Sequence, residues 1–138
     1  MTNKEAMFYK KIDSKIHCML CPRNCKIEEG RVGFCRVRQN IKRKLFAISY
    51  GKPCSVGIDP IEKKPLFHFA PGSHALSVAT VGCNFSCLFC QNYPISQLGN
   101  GNEISVEKLS EMMLSLQERG CHNINLVTAS HFVPQIIE

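Results

Sequence analysis

The residues best placed to do chemistry are three cysteines within eight positions: Cys83, Cys87 and Cys90, spaced C-x3-C-x2-C and flanked by Gly82 and by Gln91 and Asn92. A loop this short can wrap three thiolates around one inorganic centre, as compact cysteine runs do around iron-sulfur clusters. The number of ligands is informative. Four cysteines close an electron-transfer cluster, whereas three leave one iron free to bind something else, much as catalytic zinc sites keep an open position. The competing reading is a zinc ion completed by a fourth ligand from elsewhere, with His131 or Cys121 as the suppliers.

A second set of thiols lies near the start: Cys18, Cys21, Cys25 and Cys35. They are enough for a tetrahedral zinc site or an additional cluster, and Pro22, Gly30 and Gly33 favour turns that could gather them. Ordinary reduced cysteines are the equal alternative, and His17 is read as a bystander. Cys54 and Cys121 stand alone, where burial as a small apolar residue is the usual role. His68, His74, His122 and His131 have no evident partners in sequence. Neither a nucleotide-binding glycine pattern nor a serine-nucleophile motif is present.

The elements that must position these thiols are legible in outline. Residues 45–50 have strand composition, stopped by Gly51 and Pro53. Residues 59–72 carry three prolines and a closing glycine and read as an irregular connector with at most one helical turn, which puts a boundary at residue 72. Beyond it, 75–81 alternate as a strand, and the three-cysteine loop begins at once. A helix follows over 106–119, with Val106, Leu109, Met112, Met113 and Leu116 on one face. Ser105 is its expected cap and Gly120 its stop. Residues 123–128 form a second strand, and 130–138 look like the opening of a further helix. Strand, loop, helix and strand make a βαβ unit with the ligand-bearing loop at the carboxyl end of its first strand, where parallel α/β folds put their chemistry. One such unit cannot close a barrel, so the chain reads as a truncated piece.

The cysteine spacing, Phe89 before the last cysteine, and the place of the loop after the first strand of a βα series resemble the radical S-adenosylmethionine (SAM) superfamily. Wider context, from Ile95 to Gln97, over 123–128 and from His131 to Gln135, is similar to the branch of pyruvate formate-lyase activating enzymes. Residues 59–68 and the N-terminal cysteines resemble its AmmeMemoRadiSam members. The resemblance implies an α/β fold, the start of a partial (β/α) barrel over 73–138, preceded by a small cysteine-rich, β-containing region over 1–72. It implies a 4Fe-4S cluster on Cys83, Cys87 and Cys90, with SAM chelated to the free iron and cleaved reductively to a 5′-deoxyadenosyl radical. A flavodoxin or ferredoxin would supply the electron, and a glycyl-radical enzyme is the nearest familial substrate. Phe89 and Gln91 would run past the SAM adenine, although Phe89 suits core packing equally well. The family's Gly-Gly-Glu segment has no counterpart here. Thr128 and Ser130 stand in its place as hydroxyl or backbone acceptors.

Composition bounds these readings. With 138 residues, 44% hydrophobic and 20% charged, the chain reads as one ordinary folded domain. Lysine and arginine outnumber acidic residues 17 to 11, for a net charge of +6. Lys10, Lys11, Arg36, Arg38, Lys42, Arg43, Lys44, Lys63 and Lys64 read as a solvated basic face, since no aromatic-interleaved basic stripe points to nucleic acid. No apolar run approaches the roughly 20 residues that cross a bilayer, and the polar start lacks a signal peptide's apolar core, so a cytoplasmic place is expected. Nine cysteines in that setting point to metal or redox chemistry rather than disulfides.

Overall fold

Short polar-apolar alternations dominate the first third of the chain, and the computed structural model, which describes residues 4–138 without the Cys54 side chain, folds them into small antiparallel sheets. Strands β2 (Tyr9–Ile12), β3 (Lys15–Cys18) and β4 (Lys26–Ile27) form one. β1 (Lys4–Glu5), β6 (Lys44–Ala47) and β5 (Arg38–Ile41) form another, in that order. Ile16 and Cys18 point inward from β3 and join Ala6, Ile27, Leu45 and Ala47 in a common core. The β5–β6 turn takes Lys42 and Arg43 through positive φ, 50° and 59°, a conformation usually left to Asn-Gly. It is held by the Glu29 carboxylate, which accepts from both amides at 2.7 and 3.1 Å.

The third sheet carries the chemistry-bearing loop. Strand β7 (Pro53–Pro60) runs antiparallel to β8 (His74–Thr80), and β8 runs parallel to β9 (Asn123–Val127). Paired on both edges, β8 buries four successive residues from Ala75 to Val78, as a central strand covered on both faces must. Helix α2 (Val106–Glu118) makes the crossover. Its Leu109, Met112, Met113 and Leu116 pack on Leu76, Val78 and Leu126, and partly buried Cys121 joins them. Ser105 caps it by accepting from the Lys108 amide at 3.2 Å, an interaction worth about 1 kcal/mol. Gly120, at φ +90°, ends it. The βαβ unit thus forms with the boundaries expected to within a residue or two. A short helix, α1 (Tyr93–Ser96), follows the cysteine loop, and α3 (Val133–Ile137) follows β9.

Two expectations need correction. The connector read over residues 59–72 contains the expected single 3-10 turn, Ile61–Lys63, but its first two residues end the eight-residue strand β7. The division at residue 72 therefore falls inside the β7–β8 connection, and the sheet draws a strand from the first segment. Composition could not report this, because the run is bounded by Pro53 and Pro60 and interrupted by Gly57, and only its pairing with β8 defines it as a strand. The basic face also loses a member. Arg38 is only 2% exposed, and it is among the most buried side chains in the protein. The expectation for Cys54 concerns a side chain outside the described residues.

The first segment docks on the third sheet where β8 ends. Val81 packs with Cys35 and Val37, and Gly82 adopts φ +83° directly against them. A β-carbon there would stand 2.6 Å from the Cys35 carbonyl oxygen and would strike Val37 as well.

Two predictions follow from these contacts. Gly82→Ala forces an L-residue into left-handed backbone, about 1–3 kcal/mol by itself, and adds a clash with backbone. We expect a stability loss of more than about 2 kcal/mol, read as a lowered urea midpoint. The Asp59 carboxylate accepts from Lys63 (2.6 Å), Ser77 (2.8 Å) and Lys64 (3.2 Å), which hold it far below the usual carboxylate range. Its folded pKa lies below the unfolded value of about 3.9. Its stabilisation is therefore present above that pH and is lost as pH falls toward the folded value. The stability gap between the wild type and Asp59→Asn should be constant at neutral pH and should shrink below about pH 4. A gap independent of pH in that range would contradict it.

Candidate cysteine-loop site

The three-cysteine loop leaves β8 through Val81 and Gly82 and is tied down by backbone and side-chain bonds of its own. Gly82 donates its amide to the Ile95 carbonyl at 3.2 Å, so the loop returns to its starting point at α1. Gln97 closes it further by donating to the Phe85 carbonyl at 3.2 Å and to Ser96 Oγ at 3.3 Å. Within the loop the Cys90 amide donates to the Cys87 carbonyl at 3.3 Å, the turn that a C-x2-C pair produces.

Two of the three sulfurs have polar neighbours. The Phe85 amide donates to Cys83 Sγ at 3.3 Å, and Cys90 Sγ lies 3.3 Å from the buried Ser96 hydroxyl. Cys87 is exposed. Such donors suit thiolate sulfur, which accepts hydrogen bonds from backbone amides and hydroxyls around iron-sulfur clusters. By donor chemistry the loop fits a cluster held by Cys83, Cys87 and Cys90. Among the described residues, no three His, Cys, Asp or Glu side chains stand in position to hold a metal ion as they are oriented.

The tip of the loop is apolar and open to solvent. Leu88 is fully exposed, Phe89 is 91% exposed, and Phe85 is exposed too. The core-packing alternative for Phe89 is therefore wrong. Burying such side chains would stabilise by roughly 1.5–3 kcal/mol each, so their display runs against the fold's own stability. Gln91 is exposed beside them.

Thr128 and Ser130 sit at the same end of the sheet as the loop, because β9 lies parallel to β8 with Ala79 opposite Val127. Both are exposed, and Thr128 takes a left-handed φ of 51° where the chain turns. What joins this turn to the cysteine loop is His131, which sequence alone left without a partner. It is 2% exposed, and its Nε2 lies 3.0 Å from the Val81 carbonyl and 3.1 Å from Thr80 Oγ1. The carbonyl requires a donor, so Nε2 carries the proton. Burial, above all, lowers the pKa of His131, which keeps the ring neutral. With its Nε2 so engaged, His131 ties β8 to the β9 turn rather than completing a zinc site in the loop. Cys121 packs among the residues under α2, and it does not serve the loop either.

The opposite side of His131 borders a small cavity that holds the other thiols. Cys18, Cys21, Cys25 and Cys35 all line it, together with Arg23, Arg38, Leu20, Ile27 and Gly33. Its volume is about 10 Å³. His17, on the outward face of β3, does not line it, in keeping with its reading as a bystander. The two cysteine groups, 48 residues apart from Cys35 to Cys83, are therefore neighbours across the Val81–Gly82 junction. Arg23 donates to the Asn84 carbonyl at 3.1 Å, and Arg36 donates to the Gln97 side chain, which adds polar links across the same seam. No sequence spacing signals this adjacency.

Arg38 is the least expected member of the site. Nη1 donates to the Met7 carbonyl at 2.8 Å and lies 3.7 Å from Cys18 Sγ, while Nε and Nη2 are buried without a partner. Among the described residues, no carboxylate comes within ion-pair distance of it. A buried charge left uncompensated costs several kcal/mol. The alternation of Arg36 and Arg38 with apolar neighbours looks like a solvent face in sequence, and only β5 pairing turns Arg38 inward. By contrast, a cavity of about 380 Å³ bordered by Val78, Leu109, Met113, Leu126 and Phe132 contains no cysteine or histidine. No helix of the described residues is long and apolar enough to cross a membrane.

Over 95 residues the chain is 59% identical to an uncharacterized protein of Methanocaldococcus jannaschii. The matched stretch covers 68% of this chain, which spans only 28% of that relative's length. No family model matches the chain. No solved structure matches it.

Proposed function

We propose that this chain carries the cluster-binding end of a radical SAM enzyme, with Cys83, Cys87 and Cys90 as thiolate ligands of a 4Fe-4S cluster. The single observation that carries the reading is position. A C-x3-C-x2-C loop leaves the carboxyl end of the first strand of a parallel βαβ unit, and the Thr128–Ser130 turn stands at the same end of the next strand. Parallel α/β sheets put ligands at that end.

A cluster bound by three thiolates supplies one-electron reduction of SAM, which breaks the sulfonium bond to the adenosyl carbon and starts radical chemistry. The chain's own part is to place and shield. Gly82, Ile95 and Gln97 fix the loop's start and return. The Phe85 amide donates to Cys83 Sγ and the Ser96 hydroxyl lies beside Cys90 Sγ, contacts that suit ligand sulfur. The exposed Phe89 and Leu88 offer an apolar surface to an adenine or to a covering segment, and exclusion of water there protects a radical. Thr128 and Ser130 offer hydroxyl and backbone groups to the amino end of SAM, held in register by His131. An electron donor such as flavodoxin or ferredoxin and a glycyl-radical enzyme as substrate complete the reading, in the cytoplasm.

A second reading, a non-catalytic zinc-stabilised binding module, is favoured by one observation: all four thiols of the first group border one cavity. The two readings separate cleanly. Anaerobically reconstituted protein should be brown and hold about four iron and four sulfide per chain. Serine at Cys83, Cys87 or Cys90 should bring both to background. Reduction with dithionite in the presence of SAM should yield 5′-deoxyadenosine, from this chain or from a form extended beyond Glu138. A colourless protein with zinc and neither iron nor sulfide after reconstitution would decide for the module.

A further inference from the structure

The geometry points to a second, independent metal centre: we propose that Cys18, Cys21, Cys25 and Cys35 hold one tetrahedral zinc ion, and that the buried Arg38 guanidinium balances its charge. The four thiols come from the end of β3, the turn after it, and the segment before β5, yet they border the same cavity. That cavity is small, about 10 Å³, with room for about one water molecule as the thiols are oriented. Four soft thiolates with a C-x2-C pair suit zinc and its tetrahedral preference. The Phe34 amide already donates to Cys25 Sγ at 3.5 Å, the kind of contact that supports a metal-bound thiolate.

Arg38 is the observation that the thiols alone do not supply. On binding, four S–H bonds give way to four S–Zn bonds, four protons pass to solvent, and zinc stays divalent. The centre so formed carries a charge of −2, which a nearby buried cation offsets in part. Arg38 supplies one: it lines the cavity, is 2% exposed, stands 3.7 Å from Cys18 Sγ, and keeps Nε and Nη2 free to donate to sulfur. The same centre removes the fold's least explained expense, a guanidinium buried with no anion beside it. Since no three thiols among the described residues are aligned for an ion as oriented, closure requires their side chains to rotate toward the cavity. Cys18 lies at the end of β3, whereas Cys21, Cys25 and Cys35 lie outside the strands.

The test uses the whole chain produced with zinc present. Elemental analysis should find about one zinc per chain, and X-ray absorption should show an all-sulfur shell at about 2.3 Å. The variant with Cys83, Cys87 and Cys90 all changed to serine should keep that zinc, so loss of the radical SAM reading leaves this result untouched. Arg38→Met should weaken zinc about 10–100-fold in competition with a chelator, the range for outer partners of a metal, and Arg38→Lys should recover part of that loss. Absence of zinc from the wild-type chain, nitrogen or oxygen in its shell, or iron and sulfide retained by the triple serine variant overturns the site. Unchanged zinc affinity in Arg38→Met overturns the role of the arginine, and the wild-type measurements stand whatever the variants' stability.

Discussion

The close approach of Gly82 to the Cys35 carbonyl and Val37 is the contact through which the two parts of the molecule meet. Strand β8 delivers Val81 into a small core with Cys35 and Val37, and the backbone then turns through a conformation open to glycine alone without strain. Everything at the functional end is built outward from that point. The cysteine loop starts there, returns there through the Ile95 carbonyl, and is braced from the other side by Arg23 and Arg36. A bulkier residue at 82 would push the first cysteine group away from the second and unseat both.

Buried polarity tells the same story in electrostatic terms. Arg38 and His131 are each 2% exposed and flank one cavity, and among the described residues neither has a carboxylate partner. A protein interior tolerates such groups where something else offsets their desolvation. His131 stays neutral and spends its Nε2 proton on the Val81 carbonyl, which turns burial into a mechanical tie between β8 and the β9 turn. Arg38 cannot become neutral, so its charge has to be met by its surroundings, among them the Met7 carbonyl and the Cys18 sulfur. The two residues thus divide the seam, one holding the sheet together and the other facing sulfur.

The functional end also shows where the fold gives up stability. Phe85, Leu88 and Phe89 are displayed on a loop only a few residues from a well-packed strand, and Thr128 holds a left-handed conformation at the mouth of the same sheet end. Exposed apolar groups and local strain gather where a ligand or partner is to be met. The large cavity beside α2 has neither thiol nor imidazole in its lining.

Local order was written plainly in the sequence. The spacing of the three loop cysteines, the period of Leu109, Met112, Met113 and Leu116, the Ser105 cap and the Gly120 stop each depend on neighbours within a turn or two, so the βαβ unit could be drawn from residue types alone. Strand β7 could not, since Pro53 and Gly57 weaken its pattern and only pairing with β8 defines it. Likewise hidden were the burial of Arg38, the tie made by His131 and the adjacency of the two cysteine groups. These are long-range facts: a side chain's partner, its desolvation and the sign of the charge it needs are set by segments tens of residues away, brought within a few ångströms only when the sheets dock.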